Sequence, residues 1–295
     1  INYASQILVE LIKLANTVVL ISRALARLNR VETVLDTKPS MSFPERQTAS
    51  PSGREAVRFE HVSLQYQGAG EESLTDISFC AMRGQTIGVI GGTGSGKTSL
   101  VSLIPRFYDA TGGQVTLFGK PIADWTKEEL RSHVGVVMQR AQLFAGTIRS
   151  NLLWGNPDAS EEQLVKALET AQAIDFVRKK PLGLDEPVEQ GGRNFSGGQR
   201  QRLTIARALV KEPDILILDD SASALDFATD AALRKALRRL PEHITVFIVS
   251  QRTSSLQYAD RILVLEDGCL VGCGSHDDLL NDCQVYREIY ESQFQ

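Results

Sequence analysis

Gly91-Gly92-Thr93-Gly94-Ser95-Gly96-Lys97-Thr98 decides how the rest of this 295-residue chain is read. The stretch fits G-x-x-x-x-G-K-[ST], the spacing of a phosphate-binding loop. Upstream, Gln85-Thr86-Ile87-Gly88-Val89-Ile90 is a short apolar run that reads as a buried strand. Downstream, Ser99-Leu100-Val101-Ser102-Leu103-Ile104 reads as a helix. Glycines let successive backbone N–H groups turn toward one anion, and the helix start adds its partial positive charge. Lys97 can then reach β- and γ-phosphates, and the Thr98 hydroxyl can sit on Mg²⁺. The alternative is a glycine-rich turn that binds nothing, and the strand and helix around the loop argue against it.

Hydrophobic residues make up 42% and charged residues 23%, a globular balance, over a length that fits one large domain or two ordinary ones. A net charge of −4 supplies no basic field for nucleic acid. Cys80, Cys269, Cys273 and Cys283 form no C-x-x-C pair, and Cys269 and Cys273 have no matching His partners at zinc-finger spacing, so the four read as reduced thiols in a cytosolic setting. No signal peptide with a basic n-region is visible, and the chain, starting at Ile1 without a Met, reads as a piece of something longer.

Residues 1–36 carry a helical pattern. Glu10, Lys13 and Asn16 interrupt its apolar run, short of the roughly 18 uninterrupted residues of a membrane span. Arg23, Arg27, Arg30 and Glu32 make its second half amphipathic. Two readings stay open on these residues alone: a helix packed on a partner helix, or the last turns of a membrane helix with arginines on the inner side. Residues 37–54, rich in Pro and Ser, read as a linker, and a new domain runs over 55–295. Val57 to Leu64 and Leu74 to Phe79 read as strands ahead of the loop, a small antiparallel layer beside a parallel core. Val134 to Met138, Ile215 to Leu218 and Ile244 to Val249 read as buried strands. Helical patterns cover Thr126 to Arg131, about Leu143 to Lys180, Ser196 to Val210, Asp226 to Leu240 and Asp277 to Tyr290. A hairpin is expected around Asp267-Gly268. The fold class expected is therefore α/β, with a mostly parallel sheet and helices on both faces.

Asp219, closing an apolar strand about 120 residues after the loop, is a carboxylate that can hold Mg²⁺ directly or through water. Asn194-Phe195-Ser196-Gly197-Gly198-Gln199-Arg200-Gln201-Arg202 places a Ser and two Gly at a helix start, a second anion site separate from the first. This segment is similar to the L-S-G-G-Q signature of ATP-binding cassette (ABC) proteins, with Phe195 for the usual Leu. The resemblance covers about Val57 to the end of the chain. It implies a P-loop NTPase core with a small antiparallel β subdomain and an α-helical subdomain at about 140–205, with ATP and Mg²⁺ as cofactors. It assigns Gly91, Gly92, Thr93, Gly94, Ser95, Gly96, Lys97, Thr98 and Ser99 to the phosphates and Tyr66 to adenine, for which a strand-end Tyr packed on the sheet is the alternative. Phe195, Ser196, Gly197, Gly198 and Gln199 are assigned to a nucleotide shared with a partner cassette. Thr98, Gln139 and Asp219 are the implied metal contacts, and Asp220, Gln251 and Gln139 the implied catalytic groups. Pro187 to Gly192 resembles the loop that touches the membrane domain, and Ser223-Ala224-Leu225-Asp226 the segment that crosses the dimer interface. The N-terminal 36 residues resemble the last membrane helix of an exporter half-transporter, which favours the membrane reading.

Two positions depart from that pattern. Asp220 stands where the family usually has the Glu that acts as base, and Gln251 where it usually has His. Both belong to the site built by this chain's own loop, whereas the signature is intact. The expectation is one subunit of a heterodimeric exporter in the cell membrane, this domain on the cytoplasmic side, coupled to its own membrane domain and to a second half-transporter, with no nucleic-acid partner. The alternatives are an ATP-gated regulatory subunit with negligible hydrolysis and an active homodimer.

Overall fold

The computed structural model describes residues 2–36, 41–45 and 53–293, so most of the expected linker lies outside the described residues. The chain divides into two compact units, Ile1–Ser42 and Phe43–Gln295. In the first, α1 (Asn2–Leu35) is one helix of 34 residues without a buried position. It is long and apolar enough to cross a membrane by length and composition. Its polar interruptions are satisfied locally: Lys13 pairs with Glu10 at 2.7 Å, and the Thr17 and Ser22 hydroxyls donate to carbonyls four residues back.

The second unit begins with β1 (Glu55–Leu64) and β2 (Leu74–Met82), then β3 (Thr86–Gly91) and α2 (Lys97–Leu103) on either side of the glycine loop. It continues through β4 (Gly112–Leu117), β5 (Lys120–Pro121), α3 (Lys127–His133) and β6 (Val134–Val137). Next come β7 (Gly146–Thr147), α4 (Ile148–Leu153), α5 (Glu161–Thr170), α6 (Ile174–Arg178), β8 (Pro187–Val188) and α7 (Gly197–Val210). The last part holds β9 (Ile215–Asp219), α8 (Phe227–Leu237), β10 (Thr245–Val249), β11 (Arg261–Glu266), β12 (Cys269–Gly274), α9 (His276–Asp282) and α10 (Gln284–Glu291).

The central sheet has six strands in the order β12-β11-β3-β10-β9-β6, parallel except for β12, which pairs antiparallel with β11 across the expected hairpin. A second sheet, β2-β1-β4-β5, is antiparallel. The two-residue period of a strand divides the core. Ile215 and Ile217 join α2 and the antiparallel sheet in one cluster, with Phe59 stacked on Phe79 at 4.6 Å. Leu216 and Leu218 point into the cluster built by α4 to α8, and Ile262 and Val264 into the one closed by Leu279 and Tyr286 of α9 and α10. Burial on both faces is why β9 reads as an unbroken apolar run.

Three helical expectations are corrected. The stretch Leu143 to Lys180 is interrupted, because capping boxes at Thr147–Ser150 and Ser160–Gln163 start new helices. Between them Gly155 lies so close to α7 that a Cβ would meet the Arg207 carbonyl at 2.1 Å. The helix expected over Asp226 to Leu240 is α8, capped by Asp226 and ended at Leu237 ahead of Pro241. The last helix is two, split at Cys283, whose backbone is extended.

Candidate nucleotide site

The loop between β3 and α2 is held by one glycine and opened by two others. Gly96 has φ +93, and a Cβ on it would lie 2.7 Å from the Ser73 carbonyl oxygen and 2.8 Å from Leu74 Cδ2, so only glycine fits. A Cβ on Gly92 or Gly94 would meet nothing within 4 Å, which leaves that face of the backbone accessible. Lys97 folds back over the loop and donates from Nζ to the carbonyls of Gly91 (3.0 Å) and Gly92 (2.5 Å), with the nearly buried Ser95 hydroxyl at 3.4 Å. Burial pushes the Lys97 ammonium below the ordinary lysine range, opposed by the carboxylates of Asp219 and Asp220.

Asp219, 3% exposed at the end of β9, accepts the Thr98 hydroxyl at 3.1 and 3.3 Å. Burial pushes its carboxyl above the usual range, against the pull of Thr98 and Lys97. A buried carboxylate beside a hydroxyl is a pair of hard oxygen donors whose charge a divalent cation would compensate, so the residues fit Mg²⁺. Among the described residues no cluster of three or more His, Cys, Asp or Glu could hold a metal unaided. The remaining ligands of a cation here would be phosphate oxygens and water, as Mg²⁺ prefers.

The sequence-predicted residues converge. A cavity of about 160 Å³ is lined by Thr93, Gly94, Lys97 and Thr98 together with Gln139, Asp219, Asp220 and Gln251. Gln139 follows β6 and donates from Nε2 to Asp220 Oδ2 at 3.2 Å. Asp220 sits at φ +44, a left-handed conformation, fixed by its N–H to the Val249 carbonyl and by Ser223, whose hydroxyl donates to its carbonyl at 2.8 Å. An open cleft of about 940 Å³ shares Gly94, Lys97 and Thr98 and extends past Gly96 and Ser99 to Glu71, Glu72 and Gly268. That size suits a nucleotide. Tyr66 is half-buried and does not line this cleft; its hydroxyl bonds at 2.9 Å to Ser99, which does, and Tyr108 packs edge-on against its ring at 4.9 Å.

Ser196 to Gln199 line neither cavity. Ser196 caps α7: its hydroxyl accepts from Gln199 N–H at 3.2 Å while the Gln199 side chain accepts from Ser196 N–H at 3.0 Å. Gly198 abuts Ser223 to Asp226, a Cβ there meeting the Ala224 carbonyl at 3.0 Å. The Phe195 side chain, which the resemblance assigns to a nucleotide shared with a partner, faces the core of this chain. It is 3% exposed, beneath the Lys180 ammonium at 4.8 Å and edge-on to Phe176. Its carbonyl is taken by Arg200 at 2.6 Å. Phe195 thus seats the helix start in the core. Sequence reasoning missed Ser99 as the partner of Tyr66 and Gln293 as a neighbour of Gln251, because each pair is formed only by tertiary packing.

A family model described as "ABC transporter" matches residues 74–223. The chain is 41% identical, over its whole length, to the "Uncharacterized ABC transporter ATP-binding protein YfiB" of Bacillus subtilis (strain 168), covering 51% of that protein. It is 37% identical to the "ATP-dependent lipid A-core flippase" of Haemophilus ducreyi (strain 35000HP / ATCC 700724) over 92% of the chain and 47% of the relative. Among solved structures, "Structure of a bacterial Atm1-family ABC exporter with ATP bound" superposes with a TM-score of 0.86 at 33% identity, over 93% of this chain and 48% of that one. The chain spans about half the length of the curated relatives it matches.

Proposed function

This chain belongs to the ABC transporter family, and from that premise we propose that it is the cytoplasmic ATP-driven motor of a membrane exporter whose own nucleotide site is degenerate. The carrying observation is the cavity that Asp220 and Gln251 share with Lys97, Thr98 and Asp219. The loop amides and Lys97 bind the phosphates, and Thr98 and Asp219 hold Mg²⁺. Bound Mg²⁺ neutralises charge on the phosphate oxygens. Asp220 is one methylene shorter than Glu, so its carboxylate stands roughly 1.5 Å further from an attacking water. A misplacement near 1 Å costs on the order of 10²-fold in rate. One of its oxygens is also engaged by Gln139. Gln251 can donate a hydrogen bond to a γ-phosphate but carries no positive charge.

In this reading the site holds ATP long and cuts it slowly. Ser196 to Gln199, at the start of α7, complete the site of a different half-transporter, and closure of the two cassettes pulls on membrane helices through the Gln139 loop and the segment 187–192. α1, with its length and apolar composition, is the end of the last membrane helix. The test is the double variant Asp220→Glu with Gln251→His in the full-length pair, with the other site disabled. Turnover should rise well above the parent; a double variant as slow as the parent overturns the reading.

A further inference from the structure

Gln293, two residues beyond α10, grips the segment that carries Gln251. Its Nε2 donates to the Gln251 carbonyl at 2.7 Å, and its Oε1 accepts from the Thr253 N–H at 2.9 Å and the Thr253 hydroxyl at 3.1 Å. The residues are 42 positions apart in sequence, and Thr253 is fully buried. The base of the grip is firm. Gln293 N–H bonds back to the Tyr290 carbonyl, and buried Tyr286 of α10 is hydrogen-bonded to His276 at 2.7 Å. From the other side, Arg234 of α8 donates to the Ser254 carbonyl, and the Ser255 hydroxyl to Asp230 at 3.4 Å.

The chemistry selects an amide. One planar group must present a donor to the carbonyl of residue 251 and an acceptor to the N–H of residue 253. Glutamate would set a carboxylate oxygen against a carbonyl oxygen, and asparagine falls short by one methylene, roughly 1.5 Å. An uncharged Gln251 side chain has no long-range attraction to a phosphate, so its contact depends on where its backbone is held. We infer that Gln293 is a positioning residue for the segment 250–253, fixing the origin from which the Gln251 side chain enters the nucleotide cavity. The inference rests on the reading of Gln251 as the γ-phosphate contact.

The test uses the full-length transporter with its partner subunit and follows release of labelled ATP and of labelled ADP from this chain's loop. Gln293→Ala and Gln293→Glu should each speed ATP release about tenfold, the worth of one hydrogen bond to a charged group. ADP release should stay unchanged, the unfolding temperature of Gln293→Ala should fall slightly because the buried Thr253 N–H loses its partner, and Gln293→Asn should fall between parent and alanine. The neighbouring Ser292→Ala should match the parent. Equal effects on ATP and ADP, or no effect on ATP release, would each overturn the inference. None of these readouts needs hydrolysis. Failure of the degenerate-site reading, seen in turnover of the Asp220/Gln251 double variant, is therefore recorded separately.

Discussion

The hydroxyl of Thr98 bonds to both carboxylate oxygens of Asp219, at 3.3 and 3.1 Å, and joins the first turn of α2 to the end of β9 across 121 residues of sequence. Two donors suited to one cation are thereby placed side by side, at the cost of burying a carboxylate.

Asp219→Asn separates that cost from its use. A carboxyl whose folded-state pKa is raised weakens the fold once pH exceeds its unfolded value near 4. The variant should therefore unfold at or above the parent's temperature at pH 7, with the difference vanishing as pH falls toward 4. Its ATP affinity should drop by roughly tenfold or more and lose its dependence on added Mg²⁺, as the loss of a charged metal contact requires. Thermal unfolding against pH and nucleotide titrations with and without a chelator read both effects.

Lys97→Ala removes the ammonium that bonds to the Gly91 and Gly92 carbonyls and would meet phosphates. ATP affinity should fall roughly 10- to 100-fold, the range of a hydrogen-bonded charge pair. Because burial lowers the Lys97 pKa, ATP binding by the parent should weaken at high pH before an ordinary lysine would titrate, and the variant should lack that limb.

Ser196 serves as a helix cap in the isolated chain, which permits a clean separation of roles. Ser196→Ala should cost about 1 kcal/mol of stability. Ser196→Asp keeps a good cap and should keep stability, yet places a negative charge where a partner's phosphate would approach. Both variants should reduce hydrolysis at the partner's site. An aspartate variant with full hydrolysis would return the segment to a purely structural role.

Tyr66 tests ring against hydroxyl. Tyr66→Phe loses only the bond to Ser99 and should keep ATP affinity within about twofold, the size of one neutral surface hydrogen bond. Tyr66→Ala should weaken it about tenfold, within the usual 1–3 kcal/mol of base–aromatic stacking. Equal affinities for alanine and parent would leave Tyr66 as a packing residue beside Tyr108.

Tyr286 is fully buried, and burial pushes its phenol to about 12. An acid with a raised folded-state pKa loses stability as pH climbs from its unfolded value near 10 toward 12. Ultraviolet titration should show one of the six tyrosines ionising late, and Tyr286→Phe should remove that component together with its share of alkaline destabilisation.

The sequence by itself determined the elements and the chemistry of the nucleotide loop. A glycine spacing, an apolar run ending in Asp219 and a Ser-Gly-Gly-Gln helix start are local patterns, and local sterics and capping make them legible without any long-range information. Tertiary structure decided what local pattern cannot encode. It broke the helical stretch after Leu143, where capping boxes and the packing of Gly155 against α7 override apolar periodicity. It took the Phe195 side chain into the core, because volume and burial rather than motif position set where an aromatic ring goes. It drew Gln139, Asp219, Asp220 and Gln251 from the ends of β6, β9 and β10 into one cavity beside Lys97, since neighbouring parallel strands bring their carboxyl ends to the same edge of the sheet. Gln293 joined Gln251 by the same logic: residues far apart in sequence meet only after the strands are ordered and the last helix has docked.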